Sequence, residues 1–233
     1  MEVSKRLQAV ADLVSPGLTV ADIGTDHGYI PIYLIETGKC KKALAMDVNR
    51  GPLLRAKEHI AEHRLESQIE TRLSDGVTQL EVGECDAVVV AGMGGALTIK
   101  ILEEGRSVFQ SLREFILQPQ SELHKVREYL LEQGYCIIAE DMVQEDGKFY
   151  PMMKVINGAS DAYHAIEFRY GKFLLSEKHP VLKTFLEKEM QTKKMILQHL
   201  QKEDGLHIEV RRNELKEELE GIEYALQRYY ESD

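Results

Sequence analysis

Apolar residues at Val3, Leu7, Val10, Ala11 and Val14 fall on one helical face, and Pro16-Gly17 stops the run. Beyond it, short apolar runs alternate with helical spacings. Strands are predicted over 19–23, 42–47, 69–73, 86–91 and 114–117, and helices over 29–37, 51–63, 96–109 and 122–133. Such alternation implies right-handed crossovers and a parallel sheet covered on both faces. Val88-Val89-Val90 and Ile116-Leu117 are continuously apolar, as strands buried on both sides are. Two later strand-like runs, 135–143 and 148–156, flank Gln144-Glu145-Asp146-Gly147, and Asp-Gly there predicts an antiparallel hairpin.

A different pattern follows Asn157-Gly158-Ala159-Ser160, which reads as a boundary between domains at 1–159 and 160–233. Pro180 suits the first turn of a helix. Leu186, Met190, Lys193, Leu197 and Leu200 recur at heptad spacing, as do Ile208, Arg212, Leu215, Leu219, Ile222, Leu226 and Tyr229. With Glu203-Asp204-Gly205 as a short break between them, the two seams predict an antiparallel coiled-coil hairpin. It is either a helical pair packed for stability or an arm that helps hold a large substrate.

At 233 residues, 43% hydrophobic and 29% charged, the chain has the composition of a soluble globular protein. No apolar run is long enough to span a bilayer, and the first residues carry no signal-peptide core. Cys40, Cys85 and Cys136 are scattered, which suits neither a disulfide framework nor a zinc site. The expectation is a cytoplasmic protein without a metal. A net charge of −10 argues against a large electrostatic footprint for nucleic acid, although local basic groups exist: Lys5 with Arg6, Lys39 with Lys41 and Lys42, and Arg50 with Arg55 and Lys57. Residues 160–233 hold 12 Lys and Arg against 15 Asp and Glu, a balance of −3, so charge does not choose between the two readings of the arm.

The candidate chemistry sits where the first strand ends. Asp22-Ile23-Gly24-Thr25-Asp26-His27-Gly28 is spelled D-x-G-x-D-x-G, not the G-x-G-x-x-G of a dinucleotide site. Glycines let the backbone approach a ligand, and the following helix offers free N–H groups. Two carboxylates would repel a pyrophosphate but attract a sulfonium or an amino group, which favours S-adenosylmethionine (SAM) over NAD. Asp47, closing the second strand, is placed for ribose hydroxyls. Ser74-Asp75-Gly76, after the third strand, can read an adenine amino group. Ala91-Gly92-Met93-Gly94-Gly95 ends the fourth strand, where missing side chains let methyl donor and acceptor meet. The fifth ends in Gln118-Pro119-Gln120, and Gln120 can face the acceptor.

In combination, Asp22 to Pro31, Ala91 to Gly95, Leu117 to Gln120 and Glu145-Asp146-Gly147-Lys148-Phe149-Tyr150 resemble the bacterial TrmK family of tRNA (adenine(22)-N(1))-methyltransferases, over essentially the whole chain. The resemblance implies a Rossmann-like class I SAM methyltransferase fold: a mostly parallel seven-stranded sheet with a terminal antiparallel hairpin, then a C-terminal helical coiled-coil hairpin. It implies methylation of adenine N1 in the D-arm region of tRNA; a monomer is the expectation for assembly. Asp22, Gly24, Thr25, Gly28, Asp47, Ser74, Asp75, Gly76, Gly92 and Met93 would bind SAM. Asp26, His27 and Tyr29 would serve the acceptor: Asp26 facing the adenine cation that forms, Tyr29 stacking on the base, His27 bonding the base or the methionine end of SAM. A SAM enzyme with another acceptor and a non-catalytic RNA-binding protein are the competing expectations.

Overall fold

The computed structural model describes residues 3–201 and 205–231, so Glu203-Asp204 of the expected break lie outside the described residues. The chain forms two compact units, Met1–Ala162 and Tyr163–Asp233.

The first unit begins with α1 (Lys5–Leu13), whose start is fixed by Ser4: its Oγ accepts the Leu7 N–H at 3.3 Å. Then follow β1 (Val20–Ile23), α2 (Tyr29–Glu36), β2 (Ala43–Asp47), α3 (Arg50–Glu62), β3 (Ile69–Leu73), β4 (Ala87–Met93), α4 (Gly95–Glu104), α5 (Arg106–Ser111), β5 (Glu114–Pro119), α6 (Leu123–Glu132), β6 (Tyr135–Glu145) and β7 (Lys148–Asn157). The seven strands are ordered β3-β2-β1-β4-β5-β7-β6. β1 to β5 pair in parallel, and β7 inserts antiparallel between β5 and β6. This is the class I methyltransferase arrangement.

On one face, Val10, Ala11 and Val14 of the first helical segment join Ile32 and Leu34 of α2 and Ile60 of α3 over Val20, Ala45, Val89 and Ile116. On the other, Phe109, Phe115 and Tyr135 meet edge-on at centroid distances of 5.1 and 5.2 Å. A buried ion pair ties α6 to the sheet edge: Arg127, 1% exposed, donates through Nε to Glu140 Oε1 at 2.9 Å.

Two local differences from the sequence reading have physical causes. The helix expected over 96–109 divides at Gly105 into α4 and α5. Gly105 lies against the Val77 side chain, the Ile101 carbonyl and the Phe109 ring, with no room for a Cβ. The fourth strand runs on to Met93 through a bulge, where the register against β5 shifts between Ala91 and Met93 and Gly92 takes φ +79°. The motif expected to close the fourth strand thus does so through a kinked strand end.

The second unit holds α7 (Ala165–Tyr170), α8 (Lys172–Ser176), α9 (Pro180–Leu200) and α10 (Leu206–Tyr230). The first two were not anticipated: each is under two turns long, too short for a hydrophobic period to show. α9 and α10 run antiparallel, since Tyr230 donates its hydroxyl to the His179 carbonyl at 3.0 Å while Lys193 pairs with Glu218 at 2.6 Å. Leu186, Leu215, Leu219, Ile222 and Leu226 are buried along the expected seams.

Candidate active site

β1 lies between β2 and β4, and its two neighbours are reached by crossovers that leave the sheet in opposite directions. A crevice opens at the carboxyl ends of such strands. A cavity of about 280 Å³ lies there, lined by Asp22, Gly24, Thr25, Asp26, Tyr29 and Gly92 among the expected residues, and by Arg6, Leu7, Ile30, Ala91 and Gln120.

The loop from β1 to α2 is built from left-handed backbone. Gly24, Asp26 and Gly28 have φ of +76°, +45° and +73°. Gly24 and Thr25 donate their N–H groups to the Met46 carbonyl at 2.8 and 2.9 Å, which pins the loop to β2. Gly24 lies directly under the Met93 Cε methyl, so no side chain fits at 24 unless Met93 moves. Gly28 caps α2 and packs on Ala56 of α3. Asp22 is 3% exposed. Burial pushes its carboxyl up to about 7, against a counter-pull from the Thr25 hydroxyl and with a further push from the Asp47 charge.

Asp26 is strained as well as exposed, because a non-glycine residue in left-handed backbone costs on the order of 1 kcal/mol. Its Oδ1 accepts from Arg55 Nη2 of α3 at 2.5 Å, and its Oδ2 lies 3.6 Å from His27 Nε2. His27, Tyr29 and His59 of α3 form a cluster of near-parallel rings, with centroids 5.2–5.5 Å apart. His59 Nδ1 sits 3.1 Å from the His27 carbonyl, which requires its proton on Nδ1.

Asp47, Ser74, Asp75 and Gly76 do not line this cavity. They stand at the ends of the neighbouring strands, with Ser74 N–H donating to the Asp47 carbonyl at 2.9 Å. Asp47 is 9% exposed and its Oδ1 accepts the Asn49 N–H at 2.8 Å. The Ser74 hydroxyl is spent on its own turn, donating to the Gly76 carbonyl and accepting from Gln79 N–H. His27, Gly28 and Met93 border the loop without lining the cavity.

These features match known proteins. Residues 3–153 fit the model of a methyltransferase domain. Over 206 residues the chain is 39% identical to the tRNA (adenine(22)-N(1))-methyltransferase of Bacillus subtilis (strain 168), covering 86% of this chain and 84% of that one. The chain belongs to the TrmK family of tRNA (adenine(22)-N(1))-methyltransferases. Among solved structures, a Streptococcus pneumoniae protein assigned as a tRNA (m1A22) methyltransferase, in complex with S-adenosyl-L-methionine, superposes with a TM-score of 0.87 at 34% identity, covering 97% of this chain and 100% of that one. M. capricolum TrmK with S-adenosyl-homocysteine gives 0.79 at 28%, covering 95% and 100%.

Seen as a TrmK site, the cavity has a wall that local sequence did not disclose. Arg6 of α1 donates through Nη1 to Gln118 Oε1 at 3.0 Å, and its guanidinium lies 5.5 Å from the Tyr150 ring centre. Gln118 is fully buried, and the same Oε1 accepts the Gly92 N–H at 3.1 Å, which holds the bulge. Glu145 Oε1 accepts the Lys5 N–H at 2.7 Å and anchors the start of α1. The Glu145-to-Tyr150 motif thus buttresses Arg6. Of the other basic groups, Lys39 is occupied by the Ala11 and Asp12 carbonyls.

Proposed function

We propose that this chain transfers a methyl group from SAM to N1 of adenine 22 in tRNA. The observation that carries the reading is the β1–α2 loop, which holds one buried and one exposed carboxylate around left-handed glycines in a chain of this family. The residues fit the cofactor. Burial and the Asp47 charge raise the Asp22 carboxyl to about 7, and a sulfonium or ammonium beside it would offset that cost. Gly24 and Gly92 keep side chains out of the path.

In this reading Asp47 accepts the ribose hydroxyls, aimed by its bond to Asn49 N–H. Exposed Val48 and Leu97 offer apolar cover for the adenine of the cofactor, with Asp75 and the Ser74-Gly76 turn at its edge. Arg6, a cation on the cavity wall, faces the methionine carboxylate. When bound, SAM supplies an electrophilic methyl: the C–S bond breaks as the N1–C bond forms, its electron pair stays on sulfur, and the positive charge passes to the adenine. Adenine N1 carries its own lone pair, so the reading needs no strong base and no metal. Asp26 stabilises the adenine cation, an electrostatic contribution that is largest where water is excluded. Tyr29 stacks against the extracted base, His27 beside it bonds the base or the methionine end of SAM, and Gln120 bonds the base edge.

Residues 163–233 are read as the arm that steadies the tRNA. The chain would act as a monomer in the cytoplasm, where its substrate is. Among the described residues no helix is long and apolar enough to cross a membrane. The test is to incubate the protein with SAM and unmodified tRNA transcripts and to map the product by reverse-transcription stops and nucleoside mass spectrometry. Methylation absent from adenine 22, or found on another atom, sinks the reading.

A further inference from the structure

The Asp26 carboxylate is paired with a cation. Arg55 Nη2 holds it at 2.5 Å, and an ion pair at that distance presents the cavity with a dipole in place of a full negative charge. A methylated adenine beside that pair would gain little. Yet the pair is loosely held: the Arg55 and Asp26 side chains are 45% and 57% exposed. Exposed pairs of this kind contribute about 0.2–1 kcal/mol, so a competing anion displaces one partner at small cost.

We propose that Arg55 is a contact for a tRNA phosphodiester, and that the phosphate takes Arg55 away from Asp26 as the tRNA docks. The inference rests on the methyl-transfer reading given above and adds the event that arms the site. Three observations carry it. Arg55 is an exposed cation on α3, which also carries exposed Arg50 and Lys57, so residues 50–57 are locally basic on a chain of net charge −10. Its guanidinium is planar with five donors and matches a phosphate in bidentate fashion. It reaches the cavity only through Asp26, which lines the wall while Arg55 does not. One residue thus spans the outer, RNA-facing surface and the inner acid. The left-handed strain at Asp26 works the same way, since the loop tip relaxes at little cost once its partner leaves.

The exchange makes acid and substrate arrive together. With no tRNA the negative charge is masked. With tRNA, Arg55 serves the phosphate, and Asp26 faces the base alone.

The test uses the full chain, SAM and an unmodified tRNA transcript, with Arg55→Gln, Arg55→Lys, Asp26→Asn and the double variant Asp26→Asn/Arg55→Gln. For Arg55→Gln the expected result is a tRNA KM raised about tenfold, a log–log salt slope of tRNA binding reduced by about one, and an unchanged SAM Kd by calorimetry. Arg55→Lys should recover most of the KM. In the double-mutant cycle on kcat/KM the combined loss should equal or modestly exceed the product of the two single losses, because the pair is present in the free protein and broken in the productive complex. A double variant no worse than the more damaging single variant would show the pair intact during catalysis and overturn the exchange. An unchanged salt slope and KM in Arg55→Gln would overturn the phosphate contact. A collapse of SAM affinity and melting temperature in both Arg55 variants would assign Arg55 a structural role and overturn the proposal too. Absence of tRNA methylation by the wild-type protein would instead overturn the functional reading, and this inference with it.

Discussion

Asp22→Asn tests a buried acid in two ways at once. The folded chain holds the Asp22 proton up to about pH 7, whereas the ordinary carboxyl releases it near 3.8. Between those values the folded state carries a proton that the unfolded state has lost, so stability falls as pH rises and levels off above about 7. At about 1.4 kcal/mol per pH unit the full loss is on the order of 4 kcal/mol, with about 2.5 kcal/mol of it between pH 5 and 8. Asparagine keeps the shape and removes the charge. Urea unfolding of both proteins at pH 5 and pH 8, without cofactor, isolates this contribution by difference. The variant should retain about 2.5 kcal/mol more of its stability on going to pH 8. Calorimetry should show the opposite for ligand: SAM binds the wild type more tightly as pH rises from 6 to 8 and binds the variant weakly throughout. Equal losses of stability from pH 5 to 8 would refute the claim that Asp22 is an uncompensated anion awaiting a cation.

Asp47→Ala should weaken SAM binding by about 1.5–3 kcal/mol through lost charge-assisted hydrogen bonds, measured by calorimetry. Asp26→Asn should leave SAM affinity nearly intact while lowering single-turnover methyl transfer on the order of 100-fold; rates close to wild type would make Asp26 structural. A chain ending at Ala162 contains the whole sheet and cavity, and should bind SAM while losing most of its tRNA affinity in filter binding. Glu140→Ala should cost about 3–5 kcal/mol in urea unfolding, because it removes the carboxylate paired with Arg127, which is 1% exposed.

The strands and long helices were legible because their apolar periods are local. So was the β1–α2 loop, since glycines at 24 and 28 meet a backbone demand that few residues satisfy. Asp47 could be placed because it closes an apolar strand. The division at Gly105 was hidden, because it depends on Val77 and Phe109 arriving from elsewhere. Arg6 was visible only as a surface charge. Its place on the cavity wall depends on Gln118 and Tyr150, which no local period connects to it. Arg55 looked like one more helix cation, and its partner Asp26 lies 29 residues earlier.

The anchoring of α1 also sets when the site can come into being during synthesis. Lys5 waits for Glu145, 140 residues later, and Arg6 for Gln118. A ribosome adding about 5–20 residues per second leaves the start of the first helix without its Glu145 anchor for roughly 7–30 s. A chain interrupted before the β6–β7 hairpin can carry the whole β1–α2 loop and still lack one wall of the cavity. A complete cavity wall therefore arrives only as the last strands pair, and a fragment stalled earlier carries the β1–α2 loop with the start of α1 unanchored.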